Sequence, residues 1–220
     1  MDKLIYYLII TPPLLFAITV HEYSHGWMAY RKGDPTAKLA GRLTLNPISH
    51  IDIVGLLLLY FYGFGWAKPV PINPNNFKNP RKDELWVSLA GPASNMLLAF
   101  ALGLLFRIIY SPYSFTSEPS SYQLIILMLV KGIQLNLVLT VFNLLPVKPL
   151  DGSHILAGLL PPQYNNQLTQ IQRFAPYVLL GIIFLDYFLN IGILWSIFGP
   201  FIIFFGTIFA GPEFIRLIYI

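Results

Sequence analysis

Polar residues interrupt this 220-residue chain at only a few places, and the apolar runs between them are long. A helix crossing the hydrocarbon core of a bilayer needs about 20 predominantly apolar residues. Leu4 to Tyr30 meets that length first and is ended by the polar "RKGDP". Residues 31–50 are polar, contain Gly and Pro, and are too many for a tight connection. Ile51 to Trp66 is apolar for only 16 residues, short enough to predict a segment that enters the membrane and returns. The stretch "AKPVPINPNNFKNPRKDE" then sets four prolines among apolar residues, which favours extended backbone over helix. Leu85 to Tyr110 and Tyr122 to Leu145 predict two spanning helices, with the polar loop "SPYSFTSEPSS" between them. "PVKPLDGSHILAGLLPPQYNNQLTQIQR" predicts a break, a short apolar helix and a polar linker. Phe174 to Ala210 is long enough for a hairpin of two spans, broken near Asn190 or at Gly199-Pro200.

The expectation is an α-helical polytopic membrane protein of about five or six transmembrane helices, with a re-entrant or extended membrane-associated segment after the first helix. No internal repeat divides it, so residues 1–220 are expected to form a single membrane-embedded domain with its core at about 4–160 and a C-terminal helical hairpin at about 174–212.

Composition agrees. The chain is 55% hydrophobic and 11% charged, whereas soluble domains carry about 25% charged residues. There is no cysteine, so a metal would have to be held by His, Asp or Glu. A cleaved signal peptide fits poorly, because Lys3 is the one basic residue ahead of the first apolar run and that run carries histidines. Eight of the fourteen Lys and Arg residues fall between 31 and 82, and none in the 111–121 loop. By the positive-inside rule residues 31–83 face the cytosol, which requires Ile51 to Trp66 to return to its own side. The end of the first helix and the end of the 122–145 helix then lie at one depth, toward the cytosolic face.

The first of those ends carries "HEYSH", an H-E-x-x-H motif at residues 21–25. On a helix, positions i and i+4 share a face, so His21 and His25 can turn their imidazoles to one ion, with Glu22 one step round beside it. Zinc accepts two such ligands and leaves room for a third and for water. It lowers the pKa of that water towards about 7, and an adjacent carboxylate can move the proton. With four His and four Glu in the chain, the motif arises by chance about once in a thousand such sequences. Ionisable groups inside a bilayer cost about 2.5–3.5 kcal/mol each, so a functional role is the default. A metal-free polar cluster facing a cavity is the bland alternative.

The third ligand is best sought in "FNLLPVKPLDGSH", where Asp151 follows a spanning helix that ends at the same face and proline and glycine let the backbone turn back into the site. His154 competes, and His50 less so. Asp34, Asp83, Glu84, Glu118 and Glu213 fit loop or helix-end charges, while Asp186 sits in a late apolar stretch without a motif.

Together, the H-E-x-x-H of the first helix, "SLAGPASN" in the second and "FNLLPVKPLDG" at the end of the third resemble the site-2 protease family of intramembrane zinc metalloproteases, in its compact prokaryotic branch. The resemblance covers about residues 15–160 and includes "FGWAKPVPINPNNFKNP". It implies one Zn2+ held by His21, His25 and Asp151, with Glu22 as general base. It implies also that Asn95 and Asn143 hold the substrate strand or the oxyanion. An amide in a membrane helix needs partners, and both could serve the backbone of an unwound substrate or simply bond a neighbouring helix. Lys148, close to Asp151, is expected to point to the cytosol. Lys131, nine residues into a span, should snorkel outward or line a water path.

The function expected is hydrolysis of peptide bonds in or near transmembrane segments, so the partners are a transmembrane protein substrate and the bilayer, with no nucleic acid. The alternatives are a metal transporter or channel built on the same His/Asp cluster, and a silent relative that binds membrane segments without cutting.

Overall fold

The structure is a computed structural model that describes residues 3–62, 65–111 and 120–219. The described residues are nearly all helical. Among the described residues five helices are long and apolar enough to cross a membrane: α1 (Lys3–Arg31), α4 (Pro80–Ile109), α5 (Ser121–Asn143), α7 (Asn165–Leu189) and α8 (Ile193–Ala210). Short helices lie between and after them: α2 (Thr36–Leu39), α3 (Ile53–Tyr62), α6 (Asp151–Leu159) and α9 (Glu213–Leu217). Most of the loop expected at 111–121 lies outside the described residues.

α3 has 10 residues, about 15 Å of helix and half the thickness of a bilayer core. The two ends of its segment meet, because Ile51 and Ala67 form an antiparallel bridge and the Lys68 N–H donates to the His50 carbonyl at 3.0 Å. The segment thus doubles back on itself, as its length suggested. From there residues 67–73 run extended towards the start of α4.

α4 is the central helix and packs on α1, α5, α6 and α8. Its inner side joins α5, α8 and α9 in a core that includes Ala99, Phe106, Ile126, Ile133, Leu137, Ile202 and Phe214. Lipid chains are as apolar as these side chains, so close packing rather than burial from water holds the helices together.

Two expectations change. α7 begins at Asn165, not near Phe174, and absorbs the whole polar "NNQLTQIQR". Leu168 and Gln172 are buried there, and the Gln172 amide reaches the Ser153 carbonyl of α6 at 3.3 Å. Tertiary contacts along one side of α7 outweigh the polar composition. The hairpin breaks at Asn190–Gly192, where Asn190 (φ 50°) and Gly192 (φ 75°) both take the left-handed conformation, the usual helix C-terminal device. Gly199-Pro200 stays inside α8. Lys131 does neither of the two things expected of it. It is buried, and its ammonium donates to the Ile218 carbonyl at 3.0 Å, so it ties α5 to the turn after α9.

Candidate metal centre and catalytic cavity

His21 and His25 lie one turn apart on α1, about 15 Å and 9 Å from its end at Arg31 by the rise of 1.5 Å per residue. Both are buried, at 7% exposure each. The chain turns back after α5 through "LPVKPL", and Asp151 opens α6. This brings its carboxylate to 3.2 Å from His21 Nε2 and 3.3 Å from His25 Nε2. The two Nε2 atoms are 3.0 Å apart, and one ligand atom from each of the three residues lies within 4.8 Å of the others.

The donor set explains why these atoms converge. His25 Nδ1 faces the Val87 carbonyl at 2.7 Å, and a carbonyl only accepts, so Nδ1 carries the proton. His21 Nδ1 faces Asn95 Oδ1 at 2.5 Å. The Asn95 amide nitrogen faces the Ala17 carbonyl at 3.1 Å, which fixes the amide orientation and makes His21 Nδ1 a donor too. Both Nε2 atoms therefore present lone pairs, to each other and to a carboxylate whose buried Oδ2 has no hydrogen-bond donor. Three electron-pair donors pointed at one spot are mutually repulsive unless a cation sits among them. Two imidazoles and a carboxylate suit zinc with an open position.

α4 makes room for this cluster at Gly91, in the "AGPASN" stretch. A Cβ there would collide with the His25 imidazole and lie 2.6 Å from His21 Cε1.

Glu22 is half-buried and lines a cavity of about 730 Å³. Its Oε2 accepts the Val70 N–H at 2.9 Å, so the extended segment after the re-entrant loop holds the carboxylate beside the histidines. The cavity is bounded by α1, the re-entrant segment, α5, α7 and α8, and its walls are mostly apolar, with Leu15, Ile18, Leu56 and Phe142 among them. His21 opens into it, as does Asn143 at the end of α5. Asp186 also faces it and accepts the N–H groups of Ile193 (2.5 Å) and Leu194 (3.3 Å), capping the start of α8.

Other sequence candidates stand apart. Asn95 is fully buried and is not among the residues facing the cavity. His154 Nδ1 is 3.4 Å from Glu84, and His50 Nε2 donates to the Thr44 carbonyl at 2.8 Å. Lys148 is exposed. Asp34 is buried outside the spans, where it accepts hydrogen bonds from Thr36, Asn73 and Asn76. Asn136 was missed. It is fully buried in α5 and bonds Asn95, and its one signal was a carboxamide inside an apolar span.

Comparison with known proteins fits this centre. The profile of Peptidase family M50 matches residues 9–185. The chain belongs to Peptidase family M50. It is 42% identical over 187 residues to "Putative zinc metalloprotease YwhC" of Bacillus subtilis, covering 82% of this chain and 84% of the relative. "Putative zinc metalloprotease Rip2" of Mycobacterium tuberculosis is 31% identical over 80% of this chain and 66% of its own length. Zinc metalloprotease MJ0392 of Methanocaldococcus jannaschii is 25% identical, over 75% of this chain and 38% of its own length. No solved structure matches the chain. The protein is thus a membrane-embedded zinc metalloprotease of the site-2 type, and a transporter built on the same cluster is not favoured. Among the described residues one such His/Asp cluster exists, at one depth, where a transport path would string several across the membrane.

Proposed function

We propose that His21, His25 and Asp151 hold the zinc ion, that Glu22 is the general base, and that the substrate is an apolar transmembrane segment of another protein, cut toward the cytosolic side. The observation that carries this is the convergence of the two Nε2 lone pairs and the Asp151 carboxylate beside a cavity that Glu22 also faces. Zinc bound there polarises a scissile carbonyl and makes water acidic enough to ionise near neutral pH.

The chain's own residues do the rest. The apolar cavity takes an extended length of substrate and keeps bulk water from it. Glu22, held by the Val70 N–H, takes the proton of the attacking water and delivers it to the leaving amine. Asn143 uses one amide N–H on the Leu139 carbonyl, and its second is available for the developing oxyanion. The cytosolic placement is supported by the eight basic residues between 31 and 82, which flank the near end of α1.

The test is cleavage of a helical membrane substrate in liposomes. Wild type cuts, chelator-treated protein does not, and Glu22→Gln retains its zinc but cuts about 10²–10⁴-fold more slowly. Equal cleavage by all three would end the proposal. Because the chain has no cysteine, a single thiol introduced as Lys38→Cys reports sidedness. Labelling from outside intact cells would overturn the cytosolic placement.

A further inference from the structure

We infer that Asn136 is a positioning residue of the metal centre, acting through Asn95 to keep His21 in the tautomer that can bind metal. This rests on the assignment of His21, His25 and Asp151 as zinc ligands. Asn95 and Asn136 are each fully buried and come from different helices, α4 and α5. Asn136 Nδ2 donates to the Gly132 carbonyl of its own helix at 2.8 Å. That carbonyl only accepts, so it sets the amide with Oδ1 facing outward. Oδ1 accepts from Asn95 Nδ2 at 2.7 Å.

The second N–H of Asn95 goes to the Ala17 carbonyl at 3.1 Å, and Asn95 Oδ1 takes the His21 Nδ1 proton at 2.5 Å. The polarity of the whole run is thereby anchored by two backbone carbonyls, one on α5 and one on α1. Its last bond leaves His21 Nε2 bare toward His25 and Asp151.

The off-helix reach of Asn136 goes to Asn95. A carboxamide added merely to join two helices has no need of a partner whose other end grips a metal-ligand imidazole. Replacing Asn136 with an apolar residue strands one Asn95 N–H in the membrane interior. Asn95 then has no partner on the α5 side, and the bond from its Oδ1 to His21 Nδ1 is held by the Ala17 carbonyl alone and opens more readily. Whenever that bond opens, the His21 proton is free to sit on Nε2, where it occupies the lone pair that binds metal. Outer partners of metal-bound histidines contribute about 10–100-fold in affinity, and Asn136 lies one bond further out than a direct partner.

The experiment is Co2+ binding, followed by its visible absorption and by chelator competition, on detergent-purified wild type, Asn136→Leu and Asn136→Asp. Leu removes the acceptor for Asn95, and Asp keeps one in the same place. Thermal unfolding of each in chelator reports the metal-free fold separately. Expected are one Co2+ per wild-type chain, a dissociation constant raised about tenfold or more in Asn136→Leu with an altered absorption band, and recovery toward wild type in Asn136→Asp. Equal affinity and spectrum for wild type and Asn136→Leu would overturn the role of Asn136 while leaving the zinc site intact. Failure of Asn136→Asp to recover affinity, with its metal-free fold as stable as wild type, would overturn it too. A wild type that binds no Co2+ or Zn2+ would overturn the site and the inference together.

Discussion

Gly91→Ala should disable the metal site without touching a ligand. The added methyl would lie 2.6 Å from His21 Cε1 and would collide with the His25 imidazole. Carbon atoms in contact sit about 3.5–4.0 Å apart, so α1 and α4 must separate locally by about 1 Å. Overpacking of that kind costs about 1–3 kcal/mol. The functional loss is larger, because metal–ligand distances tolerate only about 0.2 Å. Moving both imidazoles by several times that margin should weaken zinc by about 100-fold or more, or about 2.7 kcal/mol. Gly181→Ala is the control. Gly181 sits in α7 with nothing within 4 Å of a built Cβ, and alanine there should raise stability by about 0.5–1 kcal/mol with zinc affinity unchanged. Zinc content after dialysis, chelator-competition affinity and thermal unfolding of the two variants decide the matter. A Gly91→Ala protein that binds zinc as tightly as wild type would show that α4 does not press on the histidines as the structure has it.

Val70→Pro deletes the N–H that Glu22 Oε2 accepts, in a position already flanked by Pro69 and Pro71 and so restricted to extended backbone that proline can adopt. Cleavage should fall about tenfold or more with zinc content unchanged, and Val70→Ala should keep wild-type activity; equal activity in all three means the tether is idle. Burial would raise the Asp34 carboxyl, but hydrogen bonds from Thr36, Asn73 and Asn76 outweigh it and hold it below the usual range. Its contribution to stability is therefore present above about pH 3.9, the unfolded value, and is lost as pH falls through the lower folded value. Asp34→Asn should destabilise by about 1–3 kcal/mol at pH 7 and flatten the melting temperature between pH 4 and 3, about where wild type declines; parallel curves for the two proteins would contradict this. Zinc at about 100 times its dissociation constant should stabilise wild type by about 2.7 kcal/mol and leave Asp151→Ala unmoved, as read by melting temperature; an equal shift in Asp151→Ala would remove Asp151 from the ligand set.

The sequence made the core of the site legible because each signal was local. H-E-x-x-H on an apolar helix fixes the relative placement of His21, Glu22 and His25 through helical period alone. "PLDG" after a spanning helix put Asp151 at a matching depth through span counting and charge asymmetry. The 16-residue run at 51–66 was too short to cross, and its ends do meet. Legibility stopped where a residue's environment came from distant segments. The polar start of α7 looked like linker because its contacts with α6 are tertiary. Lys131 had two plausible outlets in sequence and took neither, since its acceptor lies 87 positions away.

By itself, then, the sequence determined the solvent, a count of about five or six spans and the chemistry of the candidate metal-binding residues, all of which follow from composition, period and length. The tertiary structure decided how those residues are set. It placed Gly91 against the histidines, gave Glu22 the Val70 N–H, and turned Asn95 away from the cavity into a bond with His21. Which imidazole nitrogen carries a proton depends on the carbonyls and amides of three different helices, and no pattern along one chain segment records that.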